Sequence, residues 1–221
     1  MDECDCAARL QKLDSCAVSD ALDKLGLNGC VTGLVPLSVK RRIAGRIRTV
    51  KLVRDNNMWS APGRKAHLGS TAIESSVPGE IIVVEQRSGI DCGSWGGLLS
   101  LGAKMRGVAG VIADGPVRDI DEARELDFPL FARSATARTA RGRVLEEGTD
   151  VPIAVGDIEV RPGDFAIADG TAVVFVAAAD VERVLLAAEA IAAREAAMAK
   201  ALRANQRITV VLGTDYEQML K

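Results

Sequence analysis

The middle of the chain alternates between short apolar runs and segments with helical spacing. The runs Glu80–Glu85, Val108–Ala113 and Pro129–Ala132 predict buried strands. Between them, Leu98–Arg106 and Asp119–Leu126 predict helices. Because this order is strand–helix–strand–helix–strand, we expect parallel strands covered by helices, and hence an α/β fold.

The pattern differs on either side of this unit. Gly45–Val53 alternates apolar and basic residues, which predicts a strand with one solvated face, whereas Asp20–Leu25 (after a Ser19-Asp20 cap) and Ala66–Ser76 predict short helices. After Gly148, short apolar segments joined by glycine-containing turns predict an antiparallel layer. These segments are Pro152–Val155, Ile158–Val160, Asp164–Ala168 and Ala172–Val176.

A long alanine-rich helix is predicted over Asp180–Arg203. We therefore divide the chain into an α/β domain, residues 1–179, and a C-terminal helix and tail, residues 180–221. We expect this helix to pack on a neighbouring subunit, and the alternative is that it packs back on its own domain. Its apolar side is formed by Val181, Val184, Leu185, Ala188, Ile191 and Met198.

Composition removes several classes of function. With 28 basic and 30 acidic residues and 3% aromatics, the chain lacks the basic or base-stacking surface of a nucleic-acid binder. It has no apolar run of about 18 residues, so we expect no membrane span. The acidic start Met1–Cys6 is unlike a secretory signal, and five cysteines without paired metal spacing favour reduced thiols in the cytoplasm. Cys4 and Cys6 are either two surface thiols or ligands of a soft metal.

Few residues are available for nucleophilic chemistry. His67 is the single histidine, and it is either a packing residue or the one possible imidazole base. Lys104 is either a solvated helix lysine or a Schiff-base amine. The chain has no nucleophile elbow, phosphate-binding loop or dinucleotide fingerprint.

The chemistry concentrates in Trp95–Leu99 and Asp114–Glu122, where buried strands lead into helices. Helix amides at Gly97, Leu98 and Leu99 and the guanidinium of Arg118 suit a carboxylate. Asp119 and Glu122, three residues apart on one helix face, suit a hard divalent cation that keeps several waters. These parts predict a metal-assisted site for a 2-oxo acid. The alternative is structural: Arg118 and Glu122 form an i,i+4 pair and Asp119 is a favourable first-turn residue.

The stretch Trp95–Arg133, with its Asp-Gly-x-x-Arg-Asp motif, resembles the RraA-like family, and looser similarity extends over about four-fifths of the chain. That family includes the regulator of ribonuclease E activity A and the metal-dependent aldolases of 4-hydroxy-4-methyl-2-oxoglutarate (HMG) and 4-carboxy-4-hydroxy-2-oxoadipate. The resemblance implies a swivelling β/β/α sandwich and a homotrimer or homohexamer with active sites between subunits.

The resemblance also implies roles for individual residues. Asp119 would ligate Mg²⁺ or Mn²⁺, Arg118 would bind the pyruvyl group, and the amides of 97–99 would bind its carboxylate. A glutamate of a neighbouring subunit's C-terminal helix would reach the site. Glu195 matches that glutamate best, and Glu189 is the second choice.

One position departs from the aldolase pattern. The aldolases have an acidic residue twenty-one positions before the arginine, whereas this chain has Gly97, followed by Arg118-Asp119 and Glu122. This G-x20-R-D-x2-E/D form is similar to the regulator-type branch. Glu122 then replaces the missing carboxylate and holds the metal through water. Retro-aldol cleavage of HMG is less favoured as a result, and oxaloacetate decarboxylation needs no base for a C4 hydroxyl.

Two hypotheses follow. The first is a metal-dependent lyase that releases pyruvate from a 2-oxo acid; the second is a non-catalytic RraA-type regulator that binds a ribonuclease or helicase. For the lyase, Arg54, Arg64 and Lys65 are candidates for a second substrate carboxylate, with plain solvated charges as the alternative.

Overall fold

A computed structural model describes residues 3–56 and 67–213 of the chain. The seven helices of these residues are α1 (Glu3–Leu10), α2 (Ser15–Lys24), α3 (Ser70–Ser75), α4 (Gly97–Met105), α5 (Ile120–Glu125), α6 (Val181–Arg203) and α7 (Ile208–Val211). The strands are β1 (Cys30–Val31), β2 (Val35–Pro36), β3 (Ile43–Arg54), β4 (Ile81–Gln86), β5 (Gly110–Val117), β6 (Leu130–Ala135), β7 (Val144–Thr149), β8 (Ile153–Val155), β9 (Ile158–Val160), β10 (Phe165–Ala168) and β11 (Val173–Val176).

Strands β3, β4, β5 and β6 form the parallel centre of a nine-stranded sheet, and this confirms the predicted α/β unit. The strands are consecutive in space as well as in sequence, with Val83 opposite Thr49 on one side and Ile112 on the other. Because both faces of β4 are covered, its side chains Ile81 to Val84 are fully buried. Because β3, β4, β5 and β6 run parallel, the carboxyl ends of these strands lie at one edge of the sheet.

The long strand β3 joins this parallel unit to antiparallel strands. Its first residues pair with β10, as at Gly45 and Ala166, and its last residues pair with β7, as at Val53 and Leu145. β11 and β1 continue the sheet beyond β10. The strands expected to form one antiparallel layer are thus divided, because β8 and β9 form a separate hairpin.

Three apolar clusters hold these layers together. One lies between the parallel strands and helices α3, α4 and α5, and includes Trp95 and Phe128. The second joins α1, α2 and α6 to β10 and β11, and includes Leu10 and Leu185. The third lies on the opposite face, between the sheet and the β8–β9 hairpin. The first cluster fixes the starts of α4 and α5, where the predicted chemistry lies.

Helix α6 packs against α2 and α1 of its own chain along its N-terminal half. Val181, Val184, Leu185, Ala188 and Ile191 are buried there, whereas Met198 is half-buried. Arg9 of α1 fastens the contact, because its guanidinium donates to Glu182 at 2.8 Å and to Glu189 at 2.7 Å. Farther along, apolar side chains are exposed, among them Leu202 and, on α7, Ile208, Val210 and Leu212.

Three boundaries differ from the predictions. Helix α2 begins at Ser15 rather than at the Ser19-Asp20 cap, because Asp14 accepts a hydrogen bond from the Ala17 amide at 2.8 Å. Helix α3 begins at Ser70, after His67. Strand β5 continues through Asp114-Gly115-Pro116 to Val117, with its pairing to β6 shifted between Ala113 and Pro116. Across the described ranges, no helix combines the length and apolar character that a bilayer crossing requires.

Candidate active site

A small cavity lies where β5 leads into α5 and the preceding loop leads into α4. Its volume is about 250 Å³. That is below the usual range for drug-sized ligands and suits a small metabolite. The cavity brings together the predicted residues Gly97, Leu98, Leu99, Arg118 and Asp119. Other lining residues are His67, Leu68, Gly93, Trp95, Gly96, Thr139, Ala140 and Arg141.

The start of α4 forms one wall of this cavity. Gly96 precedes the helix and Gly97 opens it, so backbone rather than side chain faces the opening. The Ser100 amide donates to the Gly96 carbonyl at 3.0 Å, which is the first helical bond of α4. The amides of Leu98 and Leu99 therefore have no acceptor within the helix and can bind an anion. Trp95, buried beneath, donates from Nε1 to Ser100 Oγ at 3.2 Å and fixes this turn.

Asp119 and Arg118 lie opposite this wall. Asp119 precedes α5 in the left-handed conformation (φ 58°, ψ 43°), where aspartate and asparagine are tolerated better than most residues. Its carboxylate accepts from the Gly97 amide at 3.0 Å and from Arg118 Nε at 3.1 Å. Asp119 thus precedes the first turn of α5 and makes no cap bond to that helix; its carboxylate instead accepts the first amide of α4.

The glycines beside Arg118 are required by close packing. A Cβ at Gly93 would lie 2.9 Å from Arg118 Cγ, and one at Gly96 would lie 2.8 Å from Asp119 Oδ2. The aliphatic part of Arg118 thus rests on bare backbone. Its own amide donates to the Trp95 carbonyl at 2.9 Å, which ties the two strand-to-helix connections together.

Glu122 occupies the space that a side chain at Gly97 would need. A Cβ built on Gly97 would lie 1.7 Å from Glu122 Oε2 and 3.3 Å from Asp119 Cβ. The carboxylates of Glu122 and Asp119 therefore converge on the start of α4 from successive turns of the chain. This places a carboxylate at the position that is acidic in the aldolase pattern, although it belongs to a different residue.

The converging pair provides donors that fit a divalent cation. Hard cations such as Mg²⁺ take carboxylate oxygens, commonly one or two from the protein, and retain waters in their other positions. In the described parts of the chain no group of three or more His, Cys, Asp or Glu side chains is assembled for a metal. Asp119 and Glu122 thus suit a water-rich Mg²⁺ or Mn²⁺ site and not a closed protein cage.

Sequence reasoning did not find the remaining wall. His67 was expected inside a helix, and Thr139 and Arg141 carried no motif, yet all three line the cavity. Their segments approach only through tertiary contacts, such as the Gly93 amide donating to the Arg138 carbonyl at 2.9 Å. A local signal for Arg141 is absent from the sequence.

Other candidates lie elsewhere in the chain. Glu195 sits on α6 near Asp14 and Asp20; burial, followed by those two carboxylates, raises its pKa. Hydrogen bonds from Arg9 lower the pKa of Glu189 and hold it within the α1–α6 contact. Glu195 thus stands apart from the cavity of its own subunit.

Two basic candidates are engaged elsewhere. Arg54 donates to the Ser88 carbonyl at 3.3 Å, and Lys104 donates to the Leu126 carbonyl. Arg64, Lys65 and the side chain of Cys4 lie outside the described residues.

Comparison with known proteins decides the family. The sequence profile of the RraA-like family, described as Aldolase/RraA, matches residues 15–175, which is well over half of the chain. The chain belongs to the RraA-like family. This confirms the resemblance carried by the Asp-Gly-x-x-Arg-Asp motif.

Several named proteins are similar to this RraA-like chain. A protein of Halalkalibacterium halodurans, provisionally named a 4-hydroxy-4-methyl-2-oxoglutarate aldolase, is 28% identical over 92% of this chain and 91% of its own length. The 4-hydroxy-4-methyl-2-oxoglutarate aldolase of Thermus thermophilus is 35% identical over 59% of this chain and 73% of its own. Protein DlpA of Legionella pneumophila is 29% identical over 76% of this chain, which spans only 27% of that longer protein.

Solved structures confirm the fold. An uncharacterised protein from Pseudomonas syringae superposes with a TM-score of 0.84 at 26% identity, covering 95% of this chain and 97% of that one. RraAS2 of Streptomyces coelicolor, described as an unusual member of the RNase ES inhibitor RraA family, gives 0.74 at 24% identity, covering 86% and 93%. The curled mixed sheet with its C-terminal helix is therefore the RraA-like sandwich.

Proposed function

We propose that this chain is a divalent-metal-dependent carbon–carbon lyase that releases pyruvate from 2-oxo acids. One observation carries the proposal: the carboxylates of Asp119 and Glu122 converge on the bare start of α4, with Arg118 beside them. The aldolase names of two relatives at 28% and 35% identity support the same class of reaction.

The substrate's 2-oxo carboxylate binds at the start of α4. The amides of Leu98 and Leu99 donate to it, and the positive end of the helix dipole favours its charge. Arg118 supplies a permanent positive charge on the other side, and its Nε bond to Asp119 holds the guanidinium in place. The Gly97 amide, which donates to Asp119, positions that carboxylate instead of binding substrate.

Asp119 would hold a divalent cation, and Glu122 would contribute to the same site through water. When bound, Mg²⁺ or Mn²⁺ supplies Lewis-acid polarisation of the C2 ketone. In decarboxylation of oxaloacetate, the bond between C3 and C4 breaks, CO₂ leaves, and the electron pair forms the enolate of pyruvate. Arg118 stabilises the negative charge that develops, and protonation at C3 completes pyruvate.

Retro-aldol cleavage additionally needs a base. In HMG the C4 hydroxyl loses its proton as the C3–C4 bond breaks, and two pyruvate molecules result. We assign this base to Glu195 of a neighbouring subunit in a homotrimer or homohexamer. Burial, followed by the carboxylates of Asp14 and Asp20, raises the pKa of Glu195, and a raised pKa makes its carboxylate a stronger base.

The assembly and the surroundings complete the proposal. Leu98, which lines the cavity, is 85% exposed, and Met105 at the other end of α4 is 80% exposed; exposed apolar side chains of this kind fit a subunit contact. The enzyme acts in the cytoplasm on a small 2-oxo acid, without nucleic-acid or membrane partners. Gly97 favours oxaloacetate decarboxylation over HMG cleavage.

The test is pyruvate release coupled to lactate dehydrogenase. Oxaloacetate and HMG are each supplied with Mg²⁺, Mn²⁺ or EDTA, using the wild type and Arg118→Ala. Arg124→Ala is the matched control, because Arg124 pairs with Asp121 at 2.6 Å outside the cavity. Non-enzymatic oxaloacetate decay with metal alone is subtracted.

The proposal requires metal-dependent pyruvate that Arg118→Ala reduces by at least about 100-fold and Arg124→Ala leaves unchanged. Turnover that survives EDTA contradicts the metal role. Absence of pyruvate from both substrates contradicts the lyase and favours the non-catalytic regulator of a ribonuclease or helicase.

A further inference from the structure

We propose that His67 is the group that donates a proton to C3 of the pyruvate enolate, acting through Nε2. This inference rests on the proposed lyase function and deepens it, because carbon–carbon cleavage leaves an enolate that still has to be protonated. His67 is the single histidine of the chain, and it lines the cavity together with Arg118 and the start of α4.

The other groups on the cavity are less suited to this step. In the described chain its other polar side chains are those of Arg118, Asp119, Thr139 and Arg141. Guanidinium groups stay protonated at all relevant pH, and a threonine hydroxyl is not among the usual general acids. Asp119 is the carboxylate that would hold the cation. An imidazole, in contrast, both gains and loses a proton readily near neutral pH, so His67 is the candidate donor.

The backbone next to His67 determines which ring nitrogen is available. Nδ1 lies 3.1 Å from the Leu68 carbonyl. Because a carbonyl only accepts, Nδ1 carries a proton in the neutral ring as well as in the charged one. Nε2 is therefore the nitrogen that changes: it is an acceptor in the imidazole and a donor in the imidazolium. Proton transfer at Nε2 leaves the bond to Leu68 intact.

Trp95 holds the segment of His67 against the rest of the site. Gly69 lies so close to the Trp95 ring that a Cβ there would be 2.8 Å from Cζ3. The same buried indole donates to Ser100 Oγ of α4 at 3.2 Å, and the Trp95 carbonyl accepts the Arg118 amide at 2.9 Å. One residue thus links the backbone that carries the imidazole to the two places where the substrate would bind.

The proton balance of the step is simple. Cleavage of the C3–C4 bond releases CO₂ and leaves its electron pair in the enolate. The imidazolium of His67 gives its Nε2 proton to C3, the C2 carbonyl forms again, and the neutral ring regains a proton from water. In the reverse direction, neutral Nε2 removes a proton from the methyl group of pyruvate. No oxidant or reductant is needed.

Exchange of the pyruvate methyl protons isolates this transfer from carbon–carbon cleavage. Pyruvate is incubated with the protein and Mg²⁺ in D₂O, and proton NMR follows the loss of the methyl signal. In parallel, CO₂ release from oxaloacetate measures cleavage, and both rates with Mg²⁺ alone are subtracted. The variants are His67→Asn, whose amide can still donate to the Leu68 carbonyl but has no counterpart of Nε2, and Thr71→Asn. Thr71 is the matched control, since it is exposed on the neighbouring helix α3.

His67→Asn should slow the exchange at least about 100-fold, as expected for loss of a general acid–base group. Release of CO₂ precedes protonation and is irreversible, so kcat/KM for CO₂ release should change by less than about threefold. Thr71→Asn should leave both rates unchanged. Added imidazole should restore exchange to a His67→Ala variant, because the free base can occupy the vacated space, and a purely structural role of His67 would allow no such rescue.

The outcomes separate the two proposals. Exchange that persists in His67→Asn, exchange that falls only in parallel with CO₂ release, or a His67→Ala variant that imidazole does not rescue overturns the role of His67 and leaves the lyase intact. A wild type that releases CO₂ without exchanging the methyl protons also overturns it. A wild type with neither activity contradicts the lyase itself, and the role of His67 with it.

Discussion

Two groups of carboxylates in this molecule have opposite surroundings. Asp119 and Glu122 face the start of α4, where an amide and the Arg118 guanidinium donate to Asp119. Asp14, Asp20 and Glu195 lie between α2 and α6. Burial, followed by Asp23 and Asp14, raises the pKa of Asp20, and burial, followed by Asp14 and Asp20, raises the pKa of Glu195. Hydrogen-bond donors lie beside the first group, whereas the charged neighbours that raise the pKa of Asp20 and Glu195 are other carboxylates.

The contrast shows that residue type alone does not mark a metal site. Both groups bring acidic side chains near one another from different turns or helices. The difference lies in the donors nearby, because a carboxylate beside a cation or helix amide keeps its charge, and one beside other carboxylates tends to lose it. The donors around each carboxylate are the basis on which the proposed function assigns the metal to Asp119 and Glu122 and the base to Glu195.

The largest effect should come from Asp119→Asn. Asparagine tolerates the left-handed backbone and still accepts the Gly97 amide, so the fold should persist while the charge is lost. We expect kcat/KM for oxaloacetate to fall by about 10³-fold or more, because the group that holds the cation is removed. Coupled pyruvate release measures this, beside Asp121→Asn, whose side chain is 89% exposed. If Asp119→Asn and Asp121→Asn were equally active, the Asp119 carboxylate would have no special role in the reaction.

A smaller effect is expected from Gly97→Ala. The added Cβ would displace the Glu122 carboxylate, which is the end of a flexible side chain, so the stability cost should be small. Mn²⁺ affinity should fall roughly 10–100-fold, as expected for a group that orients a metal site. Titration followed by the electron paramagnetic resonance of free Mn²⁺ measures it.

Gly102→Ala is the control for this change, since a Cβ there meets only Ile73 at 3.7 Å. That variant should keep Mn²⁺ affinity and gain up to about 1 kcal/mol of stability as a helix-interior glycine replacement. Unchanged affinity in Gly97→Ala would show that Glu122 does not serve the metal.

The smallest effect concerns Glu195→Gln and the stability of the fold. A carboxyl with a raised pKa binds its proton more tightly in the folded state, so its contribution is fully present below the ordinary value of 4.5 and is lost as pH rises through the folded pKa. Glu195→Gln should therefore match the wild type near pH 4 and exceed it by about 0.5 kcal/mol at pH 7. Urea unfolding at both pH values, at one protein concentration, measures this difference in the free energy of unfolding. A Glu195→Gln variant less stable than the wild type at pH 7 would contradict the repulsion of Glu195 by Asp14 and Asp20.

The parallel unit could be predicted from sequence because its signals are local. The consecutive apolar residues of β4 need both faces covered, and the α4 and α5 segments have helical spacing with glycines or aspartates at their starts. The predicted strand at β5 was too short because the residues that extend it are held by partners distant in sequence. Asp114, Gly115 and Pro116 read as a turn, yet Asp114 is held within the sheet by Arg133 at 2.7 Å and by the Gly156 amide at 2.8 Å. Partners that distant leave no local pattern.

The residues of the candidate site also fall into those with a local sequence signal and those placed by tertiary contacts. Arg118, Asp119 and the start of α4 lie at strand-to-helix junctions that sequence periodicity locates. Arg141 and His67 arrive on loops whose course is set by tertiary contacts, such as the bond from Gly93 to the Arg138 carbonyl. The residues that line this wall of the cavity were therefore less predictable than those at the strand-to-helix junctions.

The overlap of Glu122 with the space above Gly97 has an evolutionary consequence. A side chain at position 97 and the carboxylate of Glu122 would compete for one space, so the effect of a substitution at either position should depend on the residue at the other. An ancestor that gained aspartate at position 97 while keeping Glu122 would crowd two negative charges into a place built for one. Exchange between the two branches of the family would pass most easily through an intermediate with a small neutral residue at both positions, which would have weakened metal binding before either arrangement was restored.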